Sequence, residues 1–212
     1  MYHNGLGVPR NGGEALRWFR KAAEKGDADG QFFLGIMCAE GPGGPRNLAE
    51  AVRWYRKAAE QGQSGAQYNL GDMYQNGLGV RQDLAEAVKW YRKAAAQDDA
   101  DAQNNLGLMY EHGFGVRRDY AEAVKWYRRA ADHGHVQAWF NLARMYAEGR
   151  GVPHDCVQAH MGFTLIALRG SGKDHDDAAE ARDYVEGQMT RAQIAEAEKR
   201  AREWLETHDK TD

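Results

Sequence analysis

The stretch Ser64–Asp99 reads SGAQYNLGDMYQNGLGVRQDLAEAVKWYRKAAAQDD, and it recurs along most of the chain with a step of 36 residues. Trp18, Trp54, Trp90 and Trp126 mark the step most clearly. A period between about 20 and 50 residues is the signature of a solenoid, in which each unit buries its apolar face only against its neighbours. Within the stretch, Ala66, Leu70, Met73 and Tyr74 fall at i, i+4, i+7 and i+8, one stripe of an α-helix, here called helix A. Asn76-Gly77 closes it, with Gly77 suited to the left-handed position after a helix end. After the loop Leu78–Gln82, Asp83 reads as an N-cap with Glu86 three residues on. Helix B follows, with Leu84, Ala87, Val88, Tyr91, Ala94 and Ala95 on its buried side.

The same capping pattern occurs at Asn11/Glu14, Asn47/Glu50, Asp83/Glu86, Asp119/Glu122 and Asp155/Gln158. It places five B helices, and A helices are expected near 28–40, 64–76, 100–112 and 136–148. Gly35, Gly71 and Gly107 on the A helices mark close helix–helix approaches. So do the alanine pairs 22–23, 58–59, 94–95 and 130–131 on the B helices. Larger side chains there should overpack the contact at a cost of roughly 1–3 kcal/mol.

The pattern breaks in three places. Gly44 stands where other units carry Val80, Val116 or Val152, so the second loop loses an apolar anchor and should be the softest joint. The fifth B helix has Gly162 in the tryptophan column and turns apolar along Phe163–Leu168. A helix apolar on more than one face needs cover on more than one face, and the following segment is expected to supply it. That segment predicts a helix over 174–187, with Asp174, Asp176 and Asp177 favourably placed at its positive end. A last helix should begin at a Thr190/Gln193 capping box and run to about Thr207, burying Ile194, Ala197, Ala201, Trp204 and Leu205. The third break is the start: Met1 and Tyr2 occupy the columns of Met73 and Tyr74, inside the last turn of an A helix whose body is missing. This predicts further sequence upstream; the alternative is a second chain covering the exposed face of the helix at 12–25.

The domain organisation expected is therefore one continuous solenoid. Residues 1–170 form an N-terminal half-repeat and four helix-pair units, and residues 171–212 form capping helices.

The columns resemble the Sel-one-like repeat family, a branch of the tetratricopeptide-like helical repeats. They are carried by Ala66, Leu70, Gly71, Met73, Tyr74, Gly77, Gly79, Val80, Asp83, Ala87, Trp90, Tyr91, Lys93, Ala94 and Ala95 and their equivalents. The resemblance implies an all-α fold, an α/α superhelix forming a right-handed solenoid of helix pairs with C-terminal caps. It also implies a protein- or peptide-holding adaptor and no enzymatic activity. Some secreted members with paired cysteines in each repeat are penicillin-binding or weak β-lactamase proteins, which gives the alternative reading. Cys38 and Cys156 are the only cysteines here, so no repeat carries such a pair.

In relatives of this kind the A helices line the concave face. By register, the A-helix positions off the packing stripe are Asp29, Phe32 and Ile36, then Tyr68, Asp72 and Gln75, then Asp101, Asn104, Leu108 and Glu111, and finally Gln137, Phe140 and Arg144. This set changes from unit to unit while the packing columns repeat. Its mixture of aromatic and acidic groups suits a peptide with apolar and basic residues, provided Phe32, Tyr68 and Phe140 stand exposed. The plain alternative is that an array of helices must have some solvated face.

Each complete B helix also carries a basic trio, such as Arg53/Arg56/Lys57 and Lys125/Arg128/Arg129. A net charge of −3 over 212 residues argues for a solvated outer face, not for a nucleic-acid partner. Cys156 follows an N-cap, where a thiol pKa is lowered, yet it sits in the apolar column of Leu84 and reads as a small buried hydrophobe. His133 and His135 lack the further ligands of a metal site and read as helix-terminating residues. Gly170–Lys173 imitates a phosphate loop without its first glycine or its preceding strand. Neither Ser64 nor Ser171 lies in a nucleophile elbow. No cofactor, catalytic set or metal site is expected. No apolar run reaches the ~20 residues of a membrane span. The start has neither the basic region nor the apolar run of a signal peptide. The partner expected is a protein or peptide, with self-association through the N-terminal half-repeat as a further expectation.

Overall fold

The computed structural model describes residues 12–42, 45–169 and 172–208. Met1, Tyr2, the Asn11 cap, Gly44, Gly170, Ser171 and the side chain of Asp174 lie outside the described residues. Among those described, the chain is all helix: α1 Gly12–Glu24, α2 Ala28–Glu40, α3 Leu48–Glu60, α4 Ser64–Asn76, α5 Leu84–Ala95, α6 Ala100–His112, α7 Tyr120–Asp132, α8 Val136–Glu148, α9 Cys156–Arg169, α10 Lys173–Glu186 and α11 Arg191–His208. Two compact units divide the chain, residues 1–102 with 114–116, and residues 103–113 with 117–212.

The helix starts are set by side-chain caps. Asn47, Asp83, Asp119 and Asp155 each accept a hydrogen bond from the backbone N–H three residues on, at 3.0–3.1 Å. Thr190 and Gln193 form the reciprocal pair that opens α11. The A helices of both units end on glycine at positive φ, as at Gly41, Gly77 and Gly149.

In the first unit, α2 packs on α3 and α4 on α5. Leu34, Leu70, Val52, Tyr55, Ala58 and Ala59 are buried in one cluster, against which Val80 also packs. Gly35 and Gly71 allow the contact: an added Cβ would lie 2.6 Å from the Tyr55 ring and 2.7 Å from the Tyr91 ring. The second glycine of the loop has a separate task. Gly79, at φ +68°, lies so close to the Leu48 carbonyl that no side chain fits between them, and Gly115 meets the Leu84 carbonyl in the same way. Each loop thus tucks against the start of the preceding B helix. Buried glutamines add a polar thread. Gln67 donates to the Ala59 carbonyl at 3.0 Å and accepts from Gln97 at 2.7 Å. Gln31 repeats the arrangement with Ala23 and Gln61.

The second unit uses the same frame. Gly107 faces Tyr127, and Gly151 meets the Tyr120 carbonyl. It then departs from the frame at α8 and α9. Ala143 occupies the glycine column, and Gly162 faces it, where a Cβ would stand 2.9 Å from the Ala143 methyl. The loss of the tryptophan has this physical reason: the space is taken. The apolar faces of α9 are covered as expected. Phe163 and Ile166 pack with Ala178 and Val185 of α10, while Met161 and Leu165 pack with Ala201, Trp204 and Leu205 of α11. Trp204 meets Trp139 edge to face, with centroids 5.3 Å apart. No described helix is long and apolar enough to cross a membrane.

Candidate functional site

The off-stripe positions of the A helices fall in three environments. Asp29, Asp101 and Gln137 are exposed, near the N-terminal ends of α2, α6 and α8. Phe32, Ile36, Tyr68, Asp72, Gln75, Leu108, Phe140 and Arg144 are half-buried. Asn104 and Glu111 are only 5% and 3% exposed. The expectation that Phe32, Tyr68 and Phe140 project freely into solvent is therefore corrected. Each leans on the aromatic residue of the B helix in its own helix pair. Phe32 lies 6.2 Å from Tyr55, Tyr68 lies 5.9 Å from Tyr91, and Phe140 meets Phe163 at 5.6 Å. Such pairs contribute beyond their burial, so these rings hold the fold as well as offering an edge.

The polar members of the set are also engaged. In the first unit, Gln75 accepts from the Tyr91 hydroxyl at 2.9 Å, and Asp72 accepts from Asn76 at 2.8 Å. Burial pushes the Asp72 carboxyl above its usual range, against the pull of Asn76. In the second unit, Asn141 donates to Asn104 at 3.1 Å. Glu111 accepts from the Tyr127 hydroxyl at 2.7 Å and from one Arg144 nitrogen at 2.7 and 2.9 Å. Burial opposes its charge, but the hydrogen bonds from Tyr127 and Arg144 and the guanidinium charge outweigh it and hold the carboxyl below its usual range. In the last pair both partners are gone, with Ala147 in the column of Gln75 and Glu111 and Phe163 in that of Tyr91 and Tyr127, whereas Tyr55 keeps its hydroxyl opposite Ala39 and has Asn69 as its hydrogen-bond partner.

The outer-face cations serve the fold. Lys57, Lys93 and Arg129 each cover the tryptophan three residues earlier, at 4.4, 4.0 and 4.9 Å from the ring centroid. Arg56 and Arg128 donate to the hydroxyls of Tyr74 and Tyr146 at 2.6 and 2.7 Å. His135 accepts the Ala138 N–H at 3.1 Å and caps α8, while His133 ends α7. Cys156 is half-buried, and its sulfur lies 3.6 Å from His154. Cys38 is buried, which pushes its thiol up. Among the described residues, no three His, Cys, Asp or Glu side chains gather as a metal site.

One concavity stands out in the second unit, between α8, α9 and α10, with a volume of about 630 Å³. Its apolar wall includes Phe140, Phe163 and Val185, and its charged lining consists of Arg144, Glu148, Asp177 and Glu180. The groove lies at the end of the repeat array. α10 follows α8 by one period and takes the place of a further A helix. The methionine column of Met37, Met73, Met109 and Met145 arrives there at Ala181, which lines the groove. The short side chain there leaves that part of the wall low. Reading the columns past the last repeat tryptophan, Trp126, reaches Ala181.

The repeat frame on which these features hang is that of a known family. The Sel1 repeat model matches residues 1–27, 28–63, 64–99, 100–135 and 136–171. The chain belongs to the Sel1 repeat family. A Sel1 repeat protein from Oxalobacter formigenes is similar at 32% identity, with a TM-score of 0.80 over 96% of this chain and 84% of that one. A protective antigen present in uropathogenic Escherichia coli strains, displaying the same fold, is 30% identical with a TM-score of 0.60. That likeness covers 97% of this chain and 51% of the antigen, so the chain spans about half its length. No curated protein matches the sequence. The fold class is thus the all-α superhelix of Sel1 repeats, a scaffold family that is generally non-enzymatic and commonly mediates protein interactions.

Proposed function

We propose that this chain is a non-enzymatic scaffold that holds a protein or peptide partner on the A-helix side of its repeats. What supports the reading is the contrast between columns. The inward positions repeat as Leu34, Leu70, Leu106 and Leu142, while one outward column runs Ile36, Asp72, Leu108 and Arg144. Repeated columns explain stacking, while the column that varies from unit to unit gives the A-helix side a chemically distinct surface in each repeat.

Panning a displayed random-peptide library on the full chain, then measuring affinity by fluorescence polarisation, tests it. Asp29→Lys, Asp101→Lys and Gln137→Ala alter exposed A-helix positions without touching the core. At least one should weaken a selected peptide several-fold at unchanged helicity. Peptides that ignore all A-helix changes but are lost with Arg53→Ala would place the binding face on the B helices and overturn the reading. The non-enzymatic half is checked with a chromogenic β-lactam, whose turnover above buffer would overturn it.

A further inference from the structure

The α8–α10 groove combines an apolar wall with an acidic rim. Phe140 and Phe163 meet edge to face at its base, and Tyr184 stands beside them 75% exposed. The lining carries three carboxylates against one guanidinium. That guanidinium is committed to the buried Glu111, so its charge is already neutralised. Two of the rim carboxylates have cations at their outer edge. Glu148 is 2.9 Å from Arg150, and Asp177 is 3.9 Å from the exposed Lys173. Glu180, three residues beyond Asp177 and on the same face of α10, has no ion pair among the described residues.

We infer that this groove takes a protein segment presenting one large apolar side chain beside a lysine or arginine. The inference rests on the scaffold reading above and deepens it. The apolar side chain gains by leaving water against Phe140, Phe163 and Val185, and the cation meets Glu180 with Asp177 one turn away. Charge complementarity of this kind selects partners as well as attracting them, because an acidic segment is repelled from the same rim. The volume exceeds what one side chain fills and lies in the range of peptide and ligand sites.

The library selection on the full chain should enrich segments with an aromatic residue or leucine within four positions of Lys or Arg. Synthetic, fluorescein-labelled versions of the best segment supply the probes. Exchanging its apolar residue for alanine, or its cation for glutamate, should weaken binding by about tenfold or more. Asp177→Lys with Glu180→Lys, both on the surface of α10, should do the same to the parent peptide, with the circular dichroism spectrum unchanged. Asp29→Lys in the first unit should leave it unaffected. Equal binding of all three peptides, or indifference to the α10 charge reversal, overturns the groove assignment. If selected peptides are weakened by Asp29→Lys and not by the α10 changes, the scaffold reading survives and this inference falls. Dimerisation that the α10 reversal abolishes, seen by sedimentation, would make a second copy the occupant and also overturn it.

Discussion

Glu111 shows how one residue can be mistaken for a ligand contact. Its register places it off the packing stripe, yet it is buried beneath Arg144 and closes the hydrogen bond of Tyr127. Because its folded-state pKa is depressed, its contribution is present above the carboxylate's unfolded value, about 4.3, and is lost as pH falls through the lower folded value. The parent protein should therefore lose stability faster than Glu111→Gln between about pH 5 and 3, as read by denaturant midpoints across that range. Parallel pH profiles would deny the residue this role. The sequence carries only a partial clue in paired columns: a polar residue at 75 or 111 accompanies tyrosine at 91 or 127 and alanine at 147 accompanies phenylalanine at 163, but alanine at 39 accompanies tyrosine at 55. Periodicity alone assigns a face to each position; it does not say that a neighbouring helix reaches over to cover it.

At the scale of the element, boundaries were the most legible feature. The caps, the A-helix spans and the last two helices follow from spacing, since N-cap chemistry and helix-ending glycine act locally. Less legible was the G-x-G loop, whose first glycine reads as a helix end and whose second reads as nothing in particular. Its purpose is non-local: Gly79 allows backbone to meet backbone at Leu48. Gly79→Ala should lower the unfolding free energy by about 2–4 kcal/mol, combining a left-handed residue with forced repacking. Gly62→Ala is the informative control, for Gly62 also has positive φ but nothing within 4 Å. Equal losses at both sites would show that backbone conformation alone is at stake. The buried glutamines escaped notice for a related reason, as a recurrent polar residue reads as surface until its carbonyl and amide partners are in place.

On the scale of the whole molecule, the repeat fixes a fold class and leaves the ends to be managed. The apolar faces of α9 are covered by α10 and α11, which the excess of apolar residues along Phe163–Leu168 foretold. Ending the chain after Arg169 would uncover Met161, Phe163, Leu165 and Ile166. Such a truncation should bind a hydrophobic dye and elute earlier than the parent chain in size-exclusion chromatography, while an unchanged elution profile would show that the covering helices are dispensable. The candidate binding positions were legible as a list and not as an environment. Spacing separated outward from inward columns, but half-burial and aromatic pairing depend on the neighbouring B helix, and the groove on how α10 packs at the end of the array.

That missing methionine has a consequence for how far the protein can be improved. Ala181→Met would fill part of the groove, and added packing of this sort commonly contributes about 0.5–2 kcal/mol. The variant should melt higher and, on the reading above, lose its basic-apolar peptide. A chain selected only for robustness would close this space. If the groove binds as proposed, leaving Ala181 small exchanges some stability for binding.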